Sequence, residues 1–148
     1  MSVGGAVRYL DVTMEAGRAL MLRGVAGPVV MLNLLRLRAV ADYSATPELA
    51  PPTPISGREA LQRYIDHTTS FLHESGGAVT FLGRGGPWLI GPADERWDVA
   101  ILVRQNSVAA FMGFASNAAY LTGIGHRTAA VEDSRLLPLE ERSVLTAG

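Results

Sequence analysis

The chain contains no cysteine, which excludes disulfides, thiolate nucleophiles, thiolate zinc sites and iron–sulfur ligation. Charge is also scarce: charged residues are 18% of the chain, and 13 basic against 14 acidic residues leave a formal net charge of -1 with no run of either sign. Nucleic acid or an anionic membrane would need a basic stripe, so neither is an expected partner. No apolar stretch approaches the roughly 20 residues that span a bilayer. Met1 to Tyr9 lacks the basic start and apolar core of a secretory signal, so a cytoplasmic location is expected. A phosphate loop, a Gly-x-Gly-x-x-Gly after a strand, a His-Glu-x-x-His and a Gly-x-Ser-x-Gly are missing as well. His67, His73 and His126 are not spaced to put two imidazoles on one helical face, so no bound metal and no cofactor are expected.

What is present is a hydrophobic fraction of 48% in 148 residues, enough for one core without a staple. The expectation is a single domain, 1–148, divided into an N-terminal helical extension (1–27), a core (28–138) and a tail (139–148). Thr13 can cap a helix from Met14 to Arg23 that stops at Gly24 and Gly27. Val29 to Leu37 is a nearly continuous apolar run, the signature of a strand covered on both faces. Pro47, Pro51, Pro52 and Pro54 make residues 39–56 a long surface loop with polyproline character.

Ser56 and Glu59 have capping-box spacing and open a helix that runs to Gly76-Gly77. At about 100° per residue, Leu61, Tyr64, Ile65, Thr68, Phe71 and Leu72 form its buried stripe, with Arg63 and Asp66 opposite. Ala78 to Ile90 reads as a strand kinked at Arg84-Gly85-Gly86-Pro87, and Trp97 to Val103 as its antiparallel neighbour. Ser107 and Asn117 cap two short helices, and Thr128 to Leu137 is the last strand, ended by Pro138. The order βαββαβ predicts an α+β, ferredoxin-like protomer: a four-stranded antiparallel sheet with helices on one face. With no helix left for the second face, a homodimer through the sheet faces is the economical cover.

Met31-Leu32-Asn33-Leu34-Leu35-Arg36, Gly76-Gly77, the Gly91 turn, and Ser116 to Tyr120 followed by His126-Arg127 resemble the family known as domain of unknown function 1330. The resemblance spans about residues 28–138 and implies membership of the dimeric α/β-barrel superfamily. There, two four-stranded sheets face each other with the helices outside. Related folds include cofactor-free monooxygenases, isomerases, cyclases and dehydratases, but a shared fold does not fix a function.

Asn33 stands among leucines, where an unpaired amide would cost about 1–3 kcal/mol. It either holds a substrate oxygen or satisfies the backbone beside it. His67, at the edge of the helix stripe, is a candidate general base or a border residue with one hydrogen bond. His126 and Arg127 can together bind a carboxylate or phenolate, or simply satisfy carbonyls at a helix end. Tyr64, Trp88, Trp97, Phe111 and Tyr120 supply aromatic surface for a planar organic ligand, or for the core.

Two readings follow. One is a cofactor-independent enzyme acting on a small organic ligand in a pocket between sheet and helices, with Asn33, His67, His126 and Arg127 as its working residues. The other is a non-catalytic ligand-binding or accessory homodimer.

Overall fold

A computed structural model describes residues 7–146; the start of the predicted extension and the end of the predicted tail lie outside the described residues. Helix α1 (Met14–Leu22) begins where Thr13 Oγ1 accepts from Ala16 N–H, and it buries Leu20 against Val29 and Met31. Strand β1 (Val29–Leu37) follows, and then the loop 38–56, irregular apart from a 3-10 turn at Pro47–Leu49. Helix α2 (Gly57–Glu74) has the expected capping box: Ser56 Oγ accepts from Glu59 N–H at 3.0 Å, and the Glu59 carboxylate accepts from Ser56 N–H at 3.4 Å. Each partner satisfies a donor that the first helical turn would otherwise leave orphaned.

Strand β2 (Ala78–Pro87) departs from expectation in where it bends and where it ends. Its register shift lies between Val79 and Phe81, while Gly86 and Pro87 stay paired with β3 (Arg96–Gln105). Gly85 permits this, because a Cβ there would collide with the Trp97 carbonyl oxygen. Trp88, Leu89 and Ile90 form no part of the strand; they sit at the hairpin tip, with Leu89 fully exposed.

Helices α3 (Val108–Ala115) and α4 (Ala118–Leu121) start at Ser107 and Asn117, as their capping chemistry predicts. Thr128 to Ala130, expected to open the last strand, finishes a further helix, α5 (Ile124–Ala130), and β4 runs from Val131 to Glu140. Buried Gly125, Ala129 and Ala130 let α5 lie close to its neighbours, a packing preference that overrides strand propensity. Pro138 does not end β4, because β4 is an edge strand and needs no N–H there.

The sheet order is β2-β3-β1-β4, antiparallel throughout, which is the ferredoxin-like arrangement of an α+β fold. Among the described residues no helix is long and apolar enough to cross a membrane. The described helices share one face. Leu35, Leu37, Val99 and Ile101 pack with Ala60 and Leu61 of α2 and Ala129 and Ala130 of α5. Val29 and Met31 pack with Leu20, Val108, Phe111 and Met112. The other face carries a row that crosses all four strands: Phe81, Leu102, Leu32 and Leu137 are successive cross-strand partners. No described helix covers it, and Phe81 and Leu137 remain 54% and 52% exposed.

Three chain segments meet at Gly57. Its N–H donates to Arg38 O at 3.1 Å, Arg38 N–H donates to Ala130 O at 2.9 Å, and a Cβ at Gly57 would collide with both carbonyl oxygens. Gly57→Ala is therefore expected to lower stability by about 1–3 kcal/mol or more, because backbone cannot yield as a side chain does. Denaturant unfolding of the variant, with an unchanged slope, checks this; a loss below about 0.5 kcal/mol would show the junction to be looser than its geometry.

Candidate functional site

Asn33 shares a face with Met31 and Leu35, so it points toward the helices, at the seam between the two core clusters. Its Nδ2 donates to Met31 O at 3.3 Å and to Ile101 O at 3.4 Å. The amide donors are thus engaged with the backbone of its own and the adjacent strand.

His67 is a clasp between α2 and α4. Its Nε2 donates to Tyr120 O at 3.0 Å and Ala119 O at 3.2 Å, and its ring lies so close to Gly123 that a Cβ there would collide with it. Those bonds place the proton on Nε2. Below it the Tyr64 and Tyr120 hydroxyls meet at 2.6 Å. Burial and the Tyr64 oxygen push the Tyr120 hydroxyl well above the usual phenol range, so it stays protonated.

Arg127 is turned away from His126. Its Nη1 donates to Leu10 O at 2.9 Å and its Nη2 to Ser134 Oγ at 3.3 Å, tying the N-terminal segment to β4. The adjacent pair in sequence is therefore not a pair in space. Asp98 accepts from Leu37 N–H at 2.8 Å and from Arg96, a structural carboxylate.

The aromatic residues are likewise spread. Phe111 packs beside Val103, whereas Trp97 lies six residues back along β3, about 20 Å away at strand spacing. Trp97 is buried with its Nε1 donating to Glu95 at 3.0 Å, and Trp88 sits at the hairpin tip. Only Tyr64 and Tyr120 come together.

His126 does find a partner, one the sequence did not single out. Tyr43, from the loop 38–56, places its hydroxyl 2.8 Å from His126 Nδ1, with the rings edge to face. Tyr43 also lines an apolar groove of about 330 Å³ with Val40, Pro51, Pro52, Pro54 and Ile55. Burial holds the His126 imidazolium below the ordinary 6.5, and the charge of Arg63 and the nearby His67 act in the same direction. Burial raises the Tyr43 hydroxyl above 10.0, partly offset by Arg63. At neutral pH the pair is therefore uncharged, with one shared proton between Oη and Nδ1. If Tyr43 donates, Nε2 carries a proton and can donate a hydrogen bond; if Nδ1 donates, Nε2 is a bare base. Only the aromatic type of Tyr43 was visible in sequence, inside a loop whose course was not.

Asp133 is a further perturbed group, outside this cluster. Burial pushes its carboxyl up, but Tyr9 N–H, Arg135 and Ser134 N–H together hold it below 3.8. For both His126 and Asp133 the unfolded chain binds protons more readily than the folded one, so stability rises with pH. The His126 contribution is complete above its unfolded value near 6.5 and declines as pH falls through the folded value; the Asp133 contribution declines below 3.8. Denaturant unfolding from about pH 7 to 3 should show both losses. His126→Gln should remove the upper one and Asp133→Asn should reduce the lower, to which Asp42, held below 3.8 by Ser44, also contributes; a flat profile above pH 5 would contradict the assignment to His126.

No family model matches the sequence, and no curated protein matches it. Among solved structures the chain is similar to the RPA0582 protein of Rhodopseudomonas palustris, described as a protein of unknown function. The identity is 35% over 93% of this chain and 100% of that one, with a TM-score of 0.76. The methylated RPA0582 protein gives 34% identity over 93% and 98%, with a TM-score of 0.79. A dimeric ferredoxin-like protein of unknown function from Jannaschia sp. CCS1 shares the fold at 13% identity, over 78% of this chain and 100% of that one, with a TM-score of 0.51. With a third of its residues identical along nearly the whole of both chains, the protein belongs to the family of the Rhodopseudomonas palustris RPA0582 protein.

Proposed function

We propose that this protein is a homodimeric enzyme that moves a proton on a small organic molecule, without a cofactor, at the Tyr43–His126 pair. The observation that carries the reading is the 2.8 Å bond from a buried tyrosine to a partly buried, neutral imidazole. Among the described residues the imidazole's Nε2 has no hydrogen-bond partner. Such a pair matches general acid–base work near neutral pH, where the catalyst must reach both protonation states. The site lies where α2, α5 and the loop 38–56 meet, and the loop contributes Tyr43 and the groove beside it. The βαββαβ core and the short motifs around Asn33 and Tyr120 support placement with domain of unknown function 1330 in the dimeric α/β-barrel superfamily. The uncovered Phe81–Leu102–Leu32–Leu137 row supports a second copy on that face, as does the dimeric description of the Jannaschia protein.

A non-catalytic ligand-binding homodimer is the second reading. Its support is that Asn33, His67 and Arg127 spend their donors on backbone or serine oxygens and so hold the protomer together.

Incubation with a cellular metabolite extract, followed by mass spectrometry, separates the two. The expected result is a species consumed by the wild-type protein and consumed about 10²–10⁴-fold more slowly by His126→Ala, the usual worth of an acid–base group. Species retained but unchanged by both proteins would overturn the enzyme reading in favour of the second. For the assembly, light scattering should give a dimer for the wild type and a monomer for Leu102→Asp; a wild-type monomer at micromolar concentration would sink it.

A further inference from the structure

Resting on that reading of the Tyr43–His126 pair, we propose that Arg63 joins it to form an anion site that takes the carboxylate of a small apolar organic acid. The packing of α2 on α5 puts Arg63 there. The helices run antiparallel: His67 lies against Gly123 at the start of α5, and Gly57 lies against the Ala130 carbonyl at its end. Arg63, between His67 and Gly57 on α2, falls level with His126, between Gly123 and Ala130 on α5. The electrostatics agree, since the Arg63 charge is felt by both His126 and Tyr43.

That charge is uncompensated. The carboxylates one turn away on α2 are already used: Glu59 in the capping box with Ser56, and Asp66 accepting from Gln62 Nε2 at 2.9 Å. Among the described residues Arg63 makes no ion pair. His67, the other titratable group facing His126, has its Nε2 committed to α4 carbonyls. What remains is a guanidinium beside the one donor the pair has left to give, Nε2–H when Tyr43 donates to Nδ1 or the Tyr43 hydroxyl when Nδ1 donates to it, and a carboxylate can accept from both the guanidinium and that donor. Tyr43 is the residue this polar end shares with the proline-lined groove of about 330 Å³, whose size is at the lower end of small-molecule sites and suits an aromatic or short aliphatic body. The sequence pair His126-Arg127 suggested an anion site of this kind; the folded chain supplies its guanidinium from Arg63.

The test is an NMR titration of the full-length protein with benzoate, read at the His126 ring signals, with benzamide as the uncharged isostere and inorganic phosphate as the apolar-free anion. Benzoate should shift the His126 signals and raise their titration midpoint. Arg63→Gln should weaken that effect at least tenfold, and Arg63→Lys should restore part of it. Arg63 is exposed, so both variants should fold, and their unfolding curves verify it. The proposal is overturned if benzamide binds as well as benzoate, if Arg63→Gln binds benzoate like wild type, or if phosphate matches benzoate. Benzoate binding without turnover of any metabolite would defeat the enzyme reading alone. Turnover that survives Arg63→Gln unchanged would defeat this inference alone.

Discussion

The close backbone approach at Gly57 is the constraint on which the placement of the rest depends. It locks the exit of β1, the start of α2 and the end of α5 into one hydrogen-bonded knot. The loop 38–56 departs from that knot and returns to it: Ala41 N–H donates to Ile55 O and Asp42 N–H to Ala129 O, each at 2.9 Å. A loop whose two ends are bonded to each other, and which carries prolines at 47, 51, 52 and 54, has little freedom left to lose on folding. Tyr43, the residue after Asp42, is consequently delivered to His126 by a wall rather than by a mobile strap.

The same knot explains what could be read from the residues and what could not. Helix starts at Thr13, Ser56, Ser107 and Asn117 were legible because a cap is a local bargain between one side chain and the next turn. The βαββαβ order was legible because apolar periodicity survives any register. Helix α5 was not, since Gly125, Ala129 and Ala130 become helical through contacts with α2 and the loop, which no window of its own sequence contains. Nor could periodicity fix the face of Asn33; the pairing of Met31 with Val103 and Leu35 with Val99 did that.

Site residues were the least legible, for a related reason. Adjacent His126 and Arg127 lie about 100° apart on a helix, so they serve different neighbours. Arg63 lies opposite the stripe that faces the sheet and is exposed, and only the packing of α2 on α5, which no single helix shows, sets it level with His126. Tyr43 sat in a segment whose only legible property was its proline content. His67 and His126 were both candidate working residues in sequence and have opposite fates: one fastens α2 to α4, the other keeps a ring nitrogen available.

The two edges of the sheet also set how this molecule can meet others. An edge strand offers a row of unpaired donors and acceptors, an open invitation to runaway sheet growth. Here β2 is kinked by its Val79/Phe81 register shift and closed by Pro87. At the other border, Tyr9 O accepts from Ser134 N–H at 2.9 Å, and Pro138 interrupts β4 with a residue that has no N–H. Both borders are thus blunted while the broad leucine-bearing face stays open. A contact on that face would bury side chains rather than add a strand, so association there would not propagate the sheet.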